Sequence, residues 1–171
     1  MRGNVLVACD WVYGRIYYYD VTTPSTPVFK GAHFAPYLIQ ADIAGNWVFA
    51  LAAYSSLSGI VTVKLSDLSP DRATRYDQYP AGDYVATGCS VDMGGIAVSE
   101  SAKHVFWYGG KTGTFQVFDA TDPARLRLVG TDTIAAHGIG MPQTTGVESR
   151  GDTIYVCAGD QGLVVYTFPG L

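Results

Sequence analysis

His33 and His137 are the residues of this 171-residue chain whose type and spacing best suit chemistry. Each lies in a polar connection between apolar runs, 31–36 and 132–143, at comparable points of two repeated units. Two imidazoles converging on one loop face, with Asp83 or Asp92 beside them, could hold a metal ion or relay a proton. The plainer alternative is a pair of loop histidines bonded to backbone or water. No HxH, HExxH or carboxylate-rich calcium loop is present, so the sequence implies no metal and no cofactor. His104 begins an apolar run and reads as structural.

A second set of candidates is aromatic. Trp11, Tyr13, Tyr54, Tyr79, Tyr84 and Tyr108 fall in or beside the same connections, among Asp10, Gln78, Asp83, Lys111 and Gln143. Flat rings with polar neighbours can stack on a glycan or clasp a peptide; the competing reading is a set of rings that cap the core. The expected ligand-binding set is therefore Trp11, Tyr13, His33, Tyr54, Tyr79, Asp83, Tyr84, Tyr108, His137 and Gln143, with no catalytic residue assigned. Tyr17, Tyr18 and Tyr19 are strand-borne, alternate between faces and suit core packing. Gly109-Gly-Lys-Thr-Gly113 is no phosphate loop, because a Walker loop needs the GxxxxGK[ST] run to open a helix. Ser99 and Ser101 lie in a short strand and turn, and no nucleophile elbow is visible around them. Asp20, Asp119 and Asp67 end apolar runs and are expected to bond turn amides.

The elements that must position these residues are repeated strands. Arg15–Asp20, Ile60–Ser66, Thr114–Asp119 and Leu163–Phe168 each alternate for a strand's length and run into a turn with proline nearby. Each follows another apolar run: Asn4–Cys9, Asn46–Leu51, His104–Tyr108 and Thr153–Cys157. Two alternating runs around a Gly-containing turn form a hairpin. Short strands precede three of these pairs, at 37–43, 95–99 and 145–148. Lys- and Arg-dotted edge strands follow three, at 27–30, 73–76 and 126–129, where charge discourages edge pairing. Self-similarity at this period predicts an all-β fold, a β-propeller of about four antiparallel blade units at 3–32, 37–76, 94–130 and 144–169 in one domain. The first unit lacks its inner strand and the last its outer strand. The expectation is therefore an arc completed by a partner, by self-association through its open blade ends or by the remainder of a larger propeller; closure as a four-bladed ring is the alternative.

Composition narrows the function. Nearly half the residues are apolar and only 15% charged, which excludes a disordered chain. A net charge of −4 argues against nucleic acid or an anionic membrane as partner. No apolar run approaches the ~18 residues of a membrane span. Met1–Asp10 lacks the apolar length and cleavage site of a signal peptide, a feature that a mature secreted chain lacks too, so the compartment stays open. Cys9, Cys89 and Cys157 form no metal or disulfide framework, and Cys9 and Cys157 are expected in the core.

An apolar run ending in Asp, a polar turn with Pro, a short outer strand and then Gly-x-x-Tyr-Val-Ala is the pattern of one repeat family. Val117-Phe-Asp-Ala-Thr-Asp-Pro123, Gly151-Asp-Thr-Ile-Tyr-Val-Cys157 with Gly162-Leu-Val-Val165, and more loosely Gly45-Asn-Trp-Val-Phe-Ala50, carry it here. Over nearly its whole length the chain resembles the LVIVD-repeat β-propellers. That resemblance implies a non-enzymatic binding or scaffold module and allows an extracellular or cell-surface location. The alternatives are an enzyme or part of one with a channel site at His33 and His137, and a structural subunit of an assembly.

Overall fold

The computed structural model describes residues 3–10, 12–34, 38–54, 57–67, 84–86, 94–109, 112–134 and 145–168. Among the described residues every regular element is a strand, apart from two single 3-10 turns. Four antiparallel sheets result. Blade A holds β1 (Val5–Asp10), β2 (Arg15–Asp20) and β3 (Val28–Phe34); blade B holds β4 (Leu38–Ala44), β5 (Trp47–Tyr54), β6 (Leu57–Lys64) and β7 (Tyr84–Ala86). Blade C holds β8 (Gly94–Val98), β9 (His104–Gly109), β10 (Thr114–Asp119) and β11 (Arg127–Thr133); blade D holds β12 (Thr145–Arg150), β13 (Thr153–Ala158) and β14 (Leu163–Thr167). Each sheet is a meander whose strands pair in sequence order. The architecture is the one the repeat predicts, with three-stranded blades at both ends. The expected outer strand at 73–76 lies outside the described residues, and Tyr84–Ala86 pairs with β6 in that place.

One backbone bond recurs in all four blades and fixes their equivalence. The residue after the third strand donates its N–H to the carbonyl just before the second: Val21 to Asn4 (2.7 Å), Leu65 to Asn46 (2.9 Å), Ala120 to Lys103 (2.7 Å) and Phe168 to Asp152 (2.8 Å). The residue before each of those carbonyls has positive φ: Gly3, Gly45, Ala102 and Gly151. Glycine adopts that conformation without a Cβ clash, which is why three of the four turns use it. Outer strands β3 and β11 each carry a register shift, opposite Tyr18/Tyr19 and Val117/Phe118, and such bulges spoil an edge for further pairing.

The blades stack face to face through three apolar cores. Ile16, with Val7, Cys9 and Tyr18, meets Val48, Ala50, Val61 and Val63 between A and B. Phe49, Leu51 and Ile60 meet Val105, Trp107 and Phe118 between B and C. Phe106, Tyr108, Phe115 and Val117 meet Ile154, Val156 and Val147 between C and D. Each internal blade therefore has one face turned to the blade before it and one to the blade after it, as period two requires.

The innermost strands β4, β8 and β12 lie side by side without sharing a sheet, and side chains tie them together. The Ile96 N–H donates to Gln40 Oε1 at 3.2 Å and the Val98 N–H to Asp42 Oδ2 at 2.8 Å. Ser149 Oγ donates to the Val98 carbonyl at 2.7 Å. Between β8 and β12 a Cβ on Gly95 would stand 2.7 Å from the Val147 nitrogen, so only glycine fits.

Candidate functional site

The expected site residues do not assemble into one centre. Trp11, Tyr79, Asp83, His137 and Gln143 lie outside the described residues. Tyr13 is in the β1–β2 turn, exposed, with its N–H held by Asp10 Oδ1 at 3.0 Å. Tyr54 and Tyr84 are strand residues, in β5 and β7. His33 is not in a loop: it belongs to β3, the outermost strand of blade A, paired with Ile16 and half-buried. An outer strand stands away from the axis, so the expected convergence on a central channel fails for this residue. Tyr108 is fully buried in the C–D core, because its position on β9 turns it toward blade D. It is a packing residue and presents no surface to a ligand.

Other chemistry-bearing residues have structural employment. Ser99 Oγ accepts the N–H groups of Lys103 (3.2 Å) and His104 (3.0 Å) and lies 3.1 Å from Ser101 Oγ, which caps the turn between β8 and β9. His104 packs its ring 5.2 Å from that of Phe168. Asp119 Oδ1 accepts both the N–H and the hydroxyl of Thr121, at 2.9 and 2.7 Å, while Arg127 approaches Oδ2 at 2.9 Å. Asp20 repeats the arrangement with Thr22 at 2.9 and 2.7 Å and Lys30 at 3.4 Å. The Thr121 amide and hydroxyl, then Arg127, hold the Asp119 carboxyl well below the usual carboxylate range; the Thr22 hydroxyl and amide lower that of Asp20. Both aspartates are corner locks of the repeat, as their sequence context implied. Among the described residues no group of three or more His, Cys, Asp and Glu could hold a metal ion.

What the structure leaves unemployed is a pair of blade faces. By the shared backbone bond, Tyr155, Cys157, Leu163 and Val165 of blade D occupy the places of Phe106, Tyr108, Phe115 and Val117 in blade C. The blade C residues are at most 4% exposed, whereas Leu163 is 60%, Val165 52% and Tyr155 37% exposed. Cys157 is exposed as well. The expectation of a core cysteine is thereby corrected: Cys157 stands on the uncovered face of blade D. At the other end Leu6, Ala8, Tyr17 and Tyr19 of blade A stand where Val105, Trp107, Gln116 and Phe118 stand in blade C. Those blade C residues are buried, whereas the four in blade A are only half-buried. Phe29 of β3 packs edge-on over Tyr19 at 5.7 Å and tilted near Tyr17 at 6.5 Å, and is itself 48% exposed. A bare apolar face on blade D and a half-covered one on blade A are the features that need a function. The sequence signal for them was there, in two terminal units each short of one strand.

No family model matches the chain, and no curated protein matches it. Solved structures do resemble it. A protein from Bacteroides uniformis described as a candidate 6-phosphogluconolactonase is 14% identical, with a TM-score of 0.67 over 96% of this chain and 47% of its own. The periplasmic gluconolactonase of Pseudomonas aeruginosa is 16% identical, with a TM-score of 0.64 over 96% of this chain and 50% of its own. A hypothetical selenium-binding protein from Sulfolobus tokodaii is 14% identical, with a TM-score of 0.54 over 90% and 44%. The chain thus spans about half the length of these proteins, and at such identities the likeness bears on fold alone. The fold is that of a four-bladed arc of a β-propeller.

Proposed function

We propose that the chain is a non-enzymatic propeller module that acts in protein recognition and assembly through its open blade faces. The observation that supports this reading is the bare face of blade D, whose four positions are completely covered in the blade before it. Exposed apolar surface arranged as half of a packed core is complementary to another protein surface of the same kind. The resemblance to LVIVD-repeat propellers points the same way.

Cys157 is a probe built into that face. Its labelling rate by a thiol reagent is to be compared in fresh extract, in the purified chain at high dilution, and in the Leu163→Glu variant. The reading expects protection in extract and release on dilution or substitution. Full reactivity of Cys157 in every sample would overturn it. Cys9 serves as internal control, since burial between blades pushes its thiol up to about 11 and keeps it slow throughout.

The second reading is an enzyme or enzyme part, and the lactonase names among the structural neighbours favour it. Hydrolysis of 6-phosphogluconolactone or gluconolactone above the spontaneous rate would establish it.

A further inference from the structure

We infer that the surface covering blade D is blade A of a second copy of this chain, so that two copies join head to tail into one closed eight-bladed ring. The inference rests on the reading of the blade faces as interfaces and names their occupant. In every internal junction a face turned to the following blade packs on a face turned to the preceding one. The bare face of blade D is of the first kind, and the half-buried outer face of blade A is of the second. Blade D on another blade D, or blade A on another blade A, would not reproduce this front-to-back order. Blade A of a second copy supplies the hand that blade D lacks.

The two faces to be joined are both apolar rows, Tyr155, Cys157, Leu163 and Val165 on blade D and Leu6, Ala8, Tyr17 and Tyr19 on blade A. Length agrees as well, since the arc superposes on about half of propellers roughly twice as long. Two heterologous contacts then close a ring and leave no blade face bare, whereas a contact that failed to close would continue as a filament.

Light scattering across a concentration series, with three proteins and one mixture, tests the inference. The expected mass for the unsubstituted chain is twice the 18.3 kDa of one chain. Leu163→Glu on blade D and Tyr19→Glu on blade A should each halve it, with far-ultraviolet circular dichroism confirming that both variants remain folded. An equimolar mixture of the two variants retains one intact D–A contact and should recover the doubled mass. A monomer at all concentrations would overturn the inference; if Cys157 were still protected in extract, the reading of the faces as interfaces would stand without it. A dimer that survives Tyr19→Glu would also overturn it, because it would mean blade D pairing with itself, and so would a mass that grows without limit.

Discussion

The ring of Phe115 in blade C lies parallel to that of Tyr166 in blade D, with centroids 4.6 Å apart and planes within 6°. The Tyr166 hydroxyl reaches past it to donate to Asp132 Oδ2 at 2.9 Å, so one residue ties both the core and the rim of the C–D seam. Phe115→Ala should therefore cost about 3–5 kcal/mol, read as a fall in the urea midpoint. Tyr166→Phe keeps the stack and removes only the hydroxyl bond, and should cost about 0.5–1.5 kcal/mol.

Burial first, and then the Asp132 carboxylate, push the Tyr166 hydroxyl up to about 12 from its ordinary value near 10. The folded state thus favours the neutral phenol. The stability this confers is complete below pH 10 and is lost as pH rises toward 12. Unfolding free energy followed from pH 9 to 12 should decline for the unsubstituted chain and decline less for Tyr166→Phe.

Acid should act at the opposite edge. Asp20 and Asp119 are depressed by the Thr22 and Thr121 donors, so the stability they confer is present above about pH 4 and disappears as pH falls through their folded values. Asp119→Asn should flatten the acid limb of the stability–pH curve below pH 4, and the double variant with Asp20→Asn should flatten it further. An unchanged acid limb would refute the corner-lock role.

Two glycines test two different physical demands. Gly151 sits at φ 54° with open space around its missing Cβ, so Gly151→Ala should cost about 1 kcal/mol from backbone strain alone. Gly95 has the Val147 nitrogen 2.7 Å from where a Cβ would stand, and Gly95→Ala must push β8 from β12. Its penalty should exceed that of Gly151→Ala by at least about 1 kcal/mol in the same denaturation experiment.

Thr62 is 4% exposed on the face of blade B that meets blade C, and its hydroxyl oxygen is buried without a hydrogen-bond partner. Thr62→Val preserves the shape and removes the unsatisfied group, and should raise stability by about 1 kcal/mol. A loss of stability on that substitution would show that the hydroxyl is satisfied in solution.

The blade plan was legible in the chain because period-two alternation, Gly turns and an Asp that ends the third strand are local signals. Asp20 and Asp119 could be given their turn-bonding role from neighbours within a few residues. The two incomplete terminal units were equally visible. What the sequence could not decide was which side of each strand would be covered, since alternation fixes two faces and names neither. Phe115 and Leu163 hold the same place in their blades, yet one is buried and the other bare, and only the stacking of whole sheets separates them. The same holds for Tyr108 and His33, whose aromatic and imidazole chemistry suggested a loop site. Tertiary structure put Tyr108 inside a blade junction and His33 on an outer strand, because a side chain's surroundings depend on strands that are distant in sequence.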